Sequence, residues 1–187
     1  MYLLNEQQIK AYVKAPYGQY LDIVGFQEEF LQHTSYYFRL GTDYELKGAA
    51  ESRLYRLTDQ KPTLELKPND YAVIKTLESF FLSDKVLGVF GQASELMAAG
   101  LALVHSPFID PLFRGRMEMG LSNLTSKTVS IRLGQIIGKV SFFDISDTYP
   151  ISLIEGSISQ RTFQRRRPSR DDDPVHDLGP ILAEEDE

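Results

Sequence analysis

The chain has 187 residues, 42% hydrophobic and 11% aromatic, enough for one globular domain with a real core and an extension. A net charge of -6 and a pI near 5.2 exclude a general nucleic-acid binder, which carries a basic face, but not a nucleotide site, where a few donors hold one phosphate. The absence of cysteine excludes disulfides, Cys-ligated zinc, a thiol nucleophile and zinc-dependent nucleobase deaminase chemistry. His33, His105 and His176 are too scattered for a metal cluster. No apolar run reaches membrane-spanning length and the N-terminus lacks a signal peptide's apolar core, so the chain reads as a cytoplasmic protein.

In chain order, Asn5 is a candidate N-cap for a short helix whose apolar side carries Ile9, Ala11, Tyr12 and Val13. Gly18, Asp22 and Gly25 break the next segment, and residues 26–31 suit a helical turn. In residues 31–41, Tyr36, Phe38 and Leu40 alternate with Ser35, Tyr37 and Arg39, which predicts a strand ending at Gly41. Short β-type runs follow at 53–57, 63–67, 71–76 and 78–82, punctuated by Pro62, Pro68-Asn69-Asp70 and Ser83-Asp84. Many short strands between turn signals predict a β-barrel or sandwich. Residues 91–101 interrupt the pattern: Ser94 is positioned to cap a short helix that stops at Gly100. Such a helix is either a connector or a phosphate-binding terminus.

Residues 105–123 predict a β-hairpin. Ile109-Asp110-Pro111 runs into a turn, and beyond Phe113 the residues Met117, Met119 and Leu121 alternate with Glu118, Gly120 and Ser122 as in a half-buried strand. Asp110 and Phe113 at this turn offer a carboxylate and a ring to a planar, polar ligand; alternatively Asp110 satisfies turn amides. Strands are expected at 128–132 and 136–143, flanking Leu133-Gly134-Gln135. Residues 151–187 read as a charged, flexible tail in which Arg165, Arg166 and Arg167 stand beside Asp171, Asp172 and Asp173.

Four stretches together resemble the dCTP deaminase and dUTPase superfamily, closest to the deaminase branch. LQHTSYYFRLG is similar to Gln-x-x-Ser-Tyr-Asp-Leu-Arg-Leu-Gly, and residues 66–94 to the Leu-x-Pro … Thr-x-Glu segment leading into Gly-Arg-Ser-Ser. FIDPLFRGRMEMGLSN resembles Ile-Asp-Pro-Gly-Phe-x-Gly-x-x-x-Leu-Glu-Leu-x-Asn, and IRLGQIIGKVSF resembles Arg-Pro-Gly-x-x-Ile-Gly-x-x-x-Phe. The resemblance spans residues 1–146 in order, which makes four motifs in register a strong signal. It implies a mainly β, distorted-barrel or jelly-roll domain over residues 1–150, a homotrimer with sites between subunits, and a deoxynucleoside triphosphate ligand with Mg²⁺ on its phosphates. By the same resemblance Gln92 and Ser94 stand at the phosphate-binding segment, Asp110 and Phe113 at the sugar and base, and Met119 and Gln135 complete the candidate nucleotide contacts. Asp110 would be the catalytic group of an active enzyme, orienting water as in dUTPases.

The departures are in the chemistry. The deaminases carry a proton-shuttling glutamate ten residues after the Ile-Asp-Pro aspartate; here that residue is Gly120, and Glu118 stands two positions earlier, roughly 7 Å along a regular strand. Gln92 and Ala93 replace Arg-Ser, a second arginine falls among Met97, Ala98 and Ala99, and Tyr37 replaces an aspartate. Three functions are in play: a deaminase converting dCTP and water to dUTP and ammonia, a dUTP pyrophosphatase using Asp110, or a member that binds a nucleotide or other ligand without turnover. The lost polar residues on an intact scaffold favour the third.

Overall fold

The structure, a computed structural model, describes residues 1–47 and 52–147. The charged tail and its arginines lie outside the described residues. The elements are β1 (Tyr2–Leu3), α1 (Glu6–Val13), β2 (Leu21–Val24), a 3₁₀ turn (Glu28–Phe30), β3 (Leu31–Gln32), β4 (Ser35–Lys47), β5 (Ser52–Arg56), β6 (Thr63–Leu66), β7 (Tyr71–Leu82), β8 (Val86–Gln92), α2 (Ser94–Ala98), β9 (Leu101–Val104), β10 (Phe108–Ile109), β11 (Arg114–Asn123), β12 (Val129–Arg132) and β13 (Ile136–Asp144). The strands form a curled antiparallel half-barrel in the order β10-β8-β13-β4-β7-β11-β9, with β6 and β12 paired separately. Among the described residues no helix is long and apolar enough to cross a membrane.

The alternation read from the sequence is the inside–outside pattern of the sheet. Tyr36, Phe38 and Leu40 are wholly buried, and Phe38 meets Phe80 and Phe90 edge-on with ring centroids 6.5 and 5.8 Å apart. Strands β1, β2, β8 and β9 were not expected. β8, VLGVFGQ, has two glycines that lower its β propensity, yet a Cβ on Gly88 would stand 3.0 Å from Ile109 Cβ, a tight contact that favours glycine where β8 pairs with β10.

The runs at 71–76 and 78–82 are one strand with an irregularity at their junction. Along β11 the partner steps from Ser79, opposite Arg116, to Lys75, opposite Glu118; along β4 a shift lies between Leu40 and Tyr44. The extra β7 residues are held by side chains. Thr76 Oγ1 donates to the Glu78 carbonyl at 2.7 Å and accepts from Met117 N at 3.0 Å. Glu78 is fully buried, and its carboxylate accepts from Arg39 Nε at 2.7 Å and Arg39 N at 2.9 Å. Arg39 spends its remaining donors on Gln27 Oε1 and the Gly25 carbonyl, and stacks over Phe30 at 4.5 Å. Arg116 donates to the Thr76 carbonyl and to Asp43 Oδ2, lying across Gly41, where any Cβ would overlap the guanidinium.

Asn5 caps α1 as expected, with Gln8 completing a reciprocal capping box at 2.9 and 3.0 Å. The helix is tied to the far end of the chain. β1 pairs with β13, and the buried Asp144 carboxylate accepts from the Tyr12 and Tyr2 phenols and from Ser146 N and Oγ. Burial acts to raise the Asp144 pKa, but the Ser146 and tyrosine hydrogen bonds outweigh it and hold the group below the ordinary aspartate value. Burial and the same carboxylate push the Tyr12 phenol up.

Two outcomes are expected. Glu78→Ala removes the only carboxylate paired with the nearly buried Arg39 guanidinium among the described residues and lowers unfolding free energy by about 3–5 kcal/mol, read by urea denaturation. Asp144, with its folded pKa depressed, contributes stability above the unfolded aspartate value, and that contribution is lost as pH falls through the folded value. Asp144→Ala therefore costs about 2–3 kcal/mol near pH 7, and the gap to wild type narrows below about pH 4 in a thermal-melt series.

Candidate functional site

Residues 105–123 do not form the expected hairpin, because β10 pairs with β8 and β11 pairs with β7 and β9. β9 and β11 pair from Leu101–Asn123 to Val104–Gly120 and no further. Beyond Val104 the chain leaves to pair with β8 as β10, while the rest of β11 stays on β7. The two arms therefore diverge, with the Val104–Gly120 rung at their apex and the turn at 110–113 at their mouth.

That turn is built by main chain. Phe113 N donates to the Asp110 carbonyl at 3.1 Å, Leu112 N to the Ser83 carbonyl at 3.2 Å, and Leu82 N to the Phe113 carbonyl at 2.9 Å. The Asp110 side chain is not what satisfies the turn amides. Its carboxylate is exposed and makes no hydrogen bond or ion pair with any described residue. Phe113 is half-buried, with one side packed on the core. Leu112, standing where the resembled motif has glycine, holds φ at 67°, a left-handed conformation disfavoured by a Cβ.

At the apex, Gly120 faces outward with Glu118 and Ser122, opposite Val73 on β7. The Tyr71 ring leans two positions along the sheet and covers it. A Cβ built on Gly120 would stand 2.7 Å from Tyr71 Cε2 and closer still to its hydroxyl. The volume over Gly120 is thus filled by a phenol from the neighbouring strand. The irregularity in β7 does not bring Glu118 to this position: residues 118 to 122 pair regularly with 75 to 71, and Glu118 is exposed beside Lys75, with N···O 3.8 Å.

The other expected site residues are dispersed. Gln92 Nε2 donates to the Leu101 carbonyl at 2.6 Å and its Oε1 accepts from Leu103 N at 3.0 Å, so its amide is used in joining β8 to β9. Ser94 does not cap α2. Ala93 is the N-cap, because its amide is held by the Ile137 carbonyl and its own carbonyl receives Met97 N; Ser94 is an exposed first-turn residue. Glu95 adds a negative charge to that five-residue helix, which disfavours an anion. Gly100 ends the helix as expected, with φ 76°. Met119 is 3% exposed and faces the core with Met117 and Leu121, so strand alternation overrides its expected contact with a ligand. Gln135 lies in the β12–β13 turn, where its side chain accepts from Arg132 N at 3.1 Å. Tyr71 was missed because its relation to Gly120 needs the cross-strand register. Among the described residues no group of three or more acidic, histidine or cysteine side chains could hold a metal.

Leu112→Gly is expected to raise stability by about 1 kcal/mol by relieving the left-handed φ, whereas Leu112→Ala, which keeps a Cβ, gives no gain; chemical denaturation of the pair decides. Gly120→Ala should cost about 1–3 kcal/mol through overlap with Tyr71, and much less in a Tyr71→Ala background, read as the coupling in a double-mutant cycle.

A family model for dCTP deaminase-like proteins matches residues 3–145. The dCTP deaminase of Pyrococcus furiosus is 28% identical over 117 residues, 63% of this chain and 71% of that protein. A dUMP-forming dCTP deaminase of Pseudarthrobacter chlorophenolicus is 25% identical over 181 residues, 89% of this chain and 93% of its own length. In fold, the chain is similar to the crystal structure of 2′-deoxycytidine 5′-triphosphate deaminase from Agrobacterium tumefaciens, with TM-score 0.60 and 15% identity over 75% of this chain and 47% of that one.

Proposed function

The chain belongs to the dCTP deaminase-like family, and from that premise we propose that it binds a pyrimidine deoxynucleotide in a cleft between the arms that diverge at the Val104–Gly120 rung, as a trimer, without deaminating it. The observation that carries this reading is Gly120 with the Tyr71 phenol over it. Deamination needs one group to activate water and protonate the departing amine. A positioned acid–base group of this kind contributes about 10²–10⁴-fold to rate. Glycine has no proton to move, and Glu118 lies two positions away in an ion pair.

What remains suits binding. Asp110 offers a free carboxylate to a sugar hydroxyl or a water, and the exposed side of Phe113 offers a face to a deoxyribose. The phosphates find little: the Gln92 amide is already used, and the segment that carries arginine in the resembled motif is Met97, Ala98 and Ala99. Each lost charge-assisted hydrogen bond is worth about 1.5–3 kcal/mol, so base and sugar supply most of the affinity. Mg²⁺ would arrive on the triphosphate rather than in a protein cage.

A second reading, dUTP pyrophosphatase, is favoured by one observation: the unpaired Asp110 carboxylate at the mouth, free to orient a water. The deciding assay incubates the protein with Mg²⁺ and millimolar dCTP or dUTP and separates the products by chromatography. Neither nucleotide should be converted, while both stay measurably bound and Asp110→Ala weakens them at least about tenfold. Formation of dUTP from dCTP overturns the proposal; release of dUMP from dUTP installs the second reading.

A further inference from the structure

Resting on the cleft reading above, we infer that the Tyr71 hydroxyl is a ligand-reading group that makes this site prefer a 4-oxo pyrimidine, uracil or thymine, over 4-amino cytosine. Packing alone does not account for the hydroxyl. The ring of a phenylalanine would still cover Gly120, leaving only the hydroxyl's own space empty. The Tyr71 Oη has no hydrogen-bond partner among the described residues, although the ring is half-buried. It lies over Gly120, whose ladder partners are Val73 on β7 and Val104 on β9, while Ser122 is the residue opposite Tyr71 itself. A donor in such surroundings is left to water or to a ligand, and leaving it unmet is unfavourable.

The geometry of a nucleotide supplies the rest. Asp110 and Phe113 mark the mouth, where the sugar lies in the cleft reading. In a pyrimidine nucleotide N1 carries the sugar, and C4 is the ring atom diagonally across from N1. A base entering past Asp110 and Phe113 therefore leads with position 4 toward the apex, where Tyr71 covers Gly120. A carbonyl there accepts the phenol O–H. An exocyclic amine instead presents two donors; the phenol oxygen can accept one, but its own O–H is then left without a partner. A carboxylate at this apex, being an acceptor only, would favour the amine. Exchanging an acid on β11 for a phenol leaning over from β7 reverses which base the apex complements.

The test is calorimetric titration of the full-length protein with the α,β-imido analogues of dUTP and dCTP plus Mg²⁺, which resist phosphate cleavage. It is run on wild type, Tyr71→Phe and Asp110→Ala, each checked by denaturation for folding. The wild type should bind the uracil analogue about tenfold more tightly. Tyr71→Phe should lose most of that advantage by weakening the uracil analogue and leaving the cytosine analogue within about twofold. An unchanged preference in Tyr71→Phe, or a wild-type preference for cytosine, overturns the inference. If Asp110→Ala still abolishes binding in that case, the cleft reading survives by itself. Failure of the wild type to bind either analogue sinks both.

Discussion

The buried pair between Arg39 and Glu78 is the constraint on which this sheet depends. A carboxylate with no exposed surface is tolerated only if both oxygens are met, and here one arginine meets both, through its main-chain amide and its Nε. Exchanging such a pair for apolar residues need not destabilise a protein, so its value lies less in energy than in specifying one arrangement. The arrangement is the displaced register of β7, the strand that both β4 and β11 pair against. With Glu78 fixed to β4 and Thr76 fixed to β11, β7 cannot slide by two residues without stranding a charge. The ladder beyond the irregularity is thereby set, and it is that ladder which brings Tyr71 diagonal to Gly120.

The divergence of the two arms follows from the same logic one strand further out. A hairpin that paired along its whole length would close on itself. This one opens because β8 captures the arm that leaves Val104, through the close contact of Gly88 with Ile109, while β7 keeps the other arm. The opening is a competition between neighbouring strands for the same segments, won by β8 on one side and β7 on the other. Asp110 is left unpaired because main-chain groups satisfy the turn without it. Such an unpaired polar group on a rigid turn is how scaffolds commonly present chemistry.

Much of this was legible in the sequence, for identifiable reasons. Period-two alternation reports burial directly, which is why Tyr36, Phe38, Met117 and Leu121 were placed on the core side and Glu118 outside it. The same alternation puts Met119 inside, and it should have outweighed the motif-based assignment to a ligand. Capping is local, so Asn5 was readable; Ser94 failed because the Ile137 carbonyl, more than forty residues away, holds Ala93 in the cap position. The β7 irregularity was hidden because Thr76 and Glu78 act through partners on β4 and β11. Tyr71 was hidden because a cross-strand neighbour exists only once the register is known.

The Asp144 cluster has a consequence in time as well as space. Tyr2 and Asp144, 142 residues apart in sequence, share a ladder position and a hydrogen bond. The first strand therefore has no docking edge until nearly the whole domain has left the ribosome. Synthesis at about 5–20 residues per second leaves the N-terminal segment waiting several seconds, with Leu4 and Ile9 exposed. A contact of this span is among the last the chain can close, and the barrel's order of assembly is dictated by its ends rather than its middle.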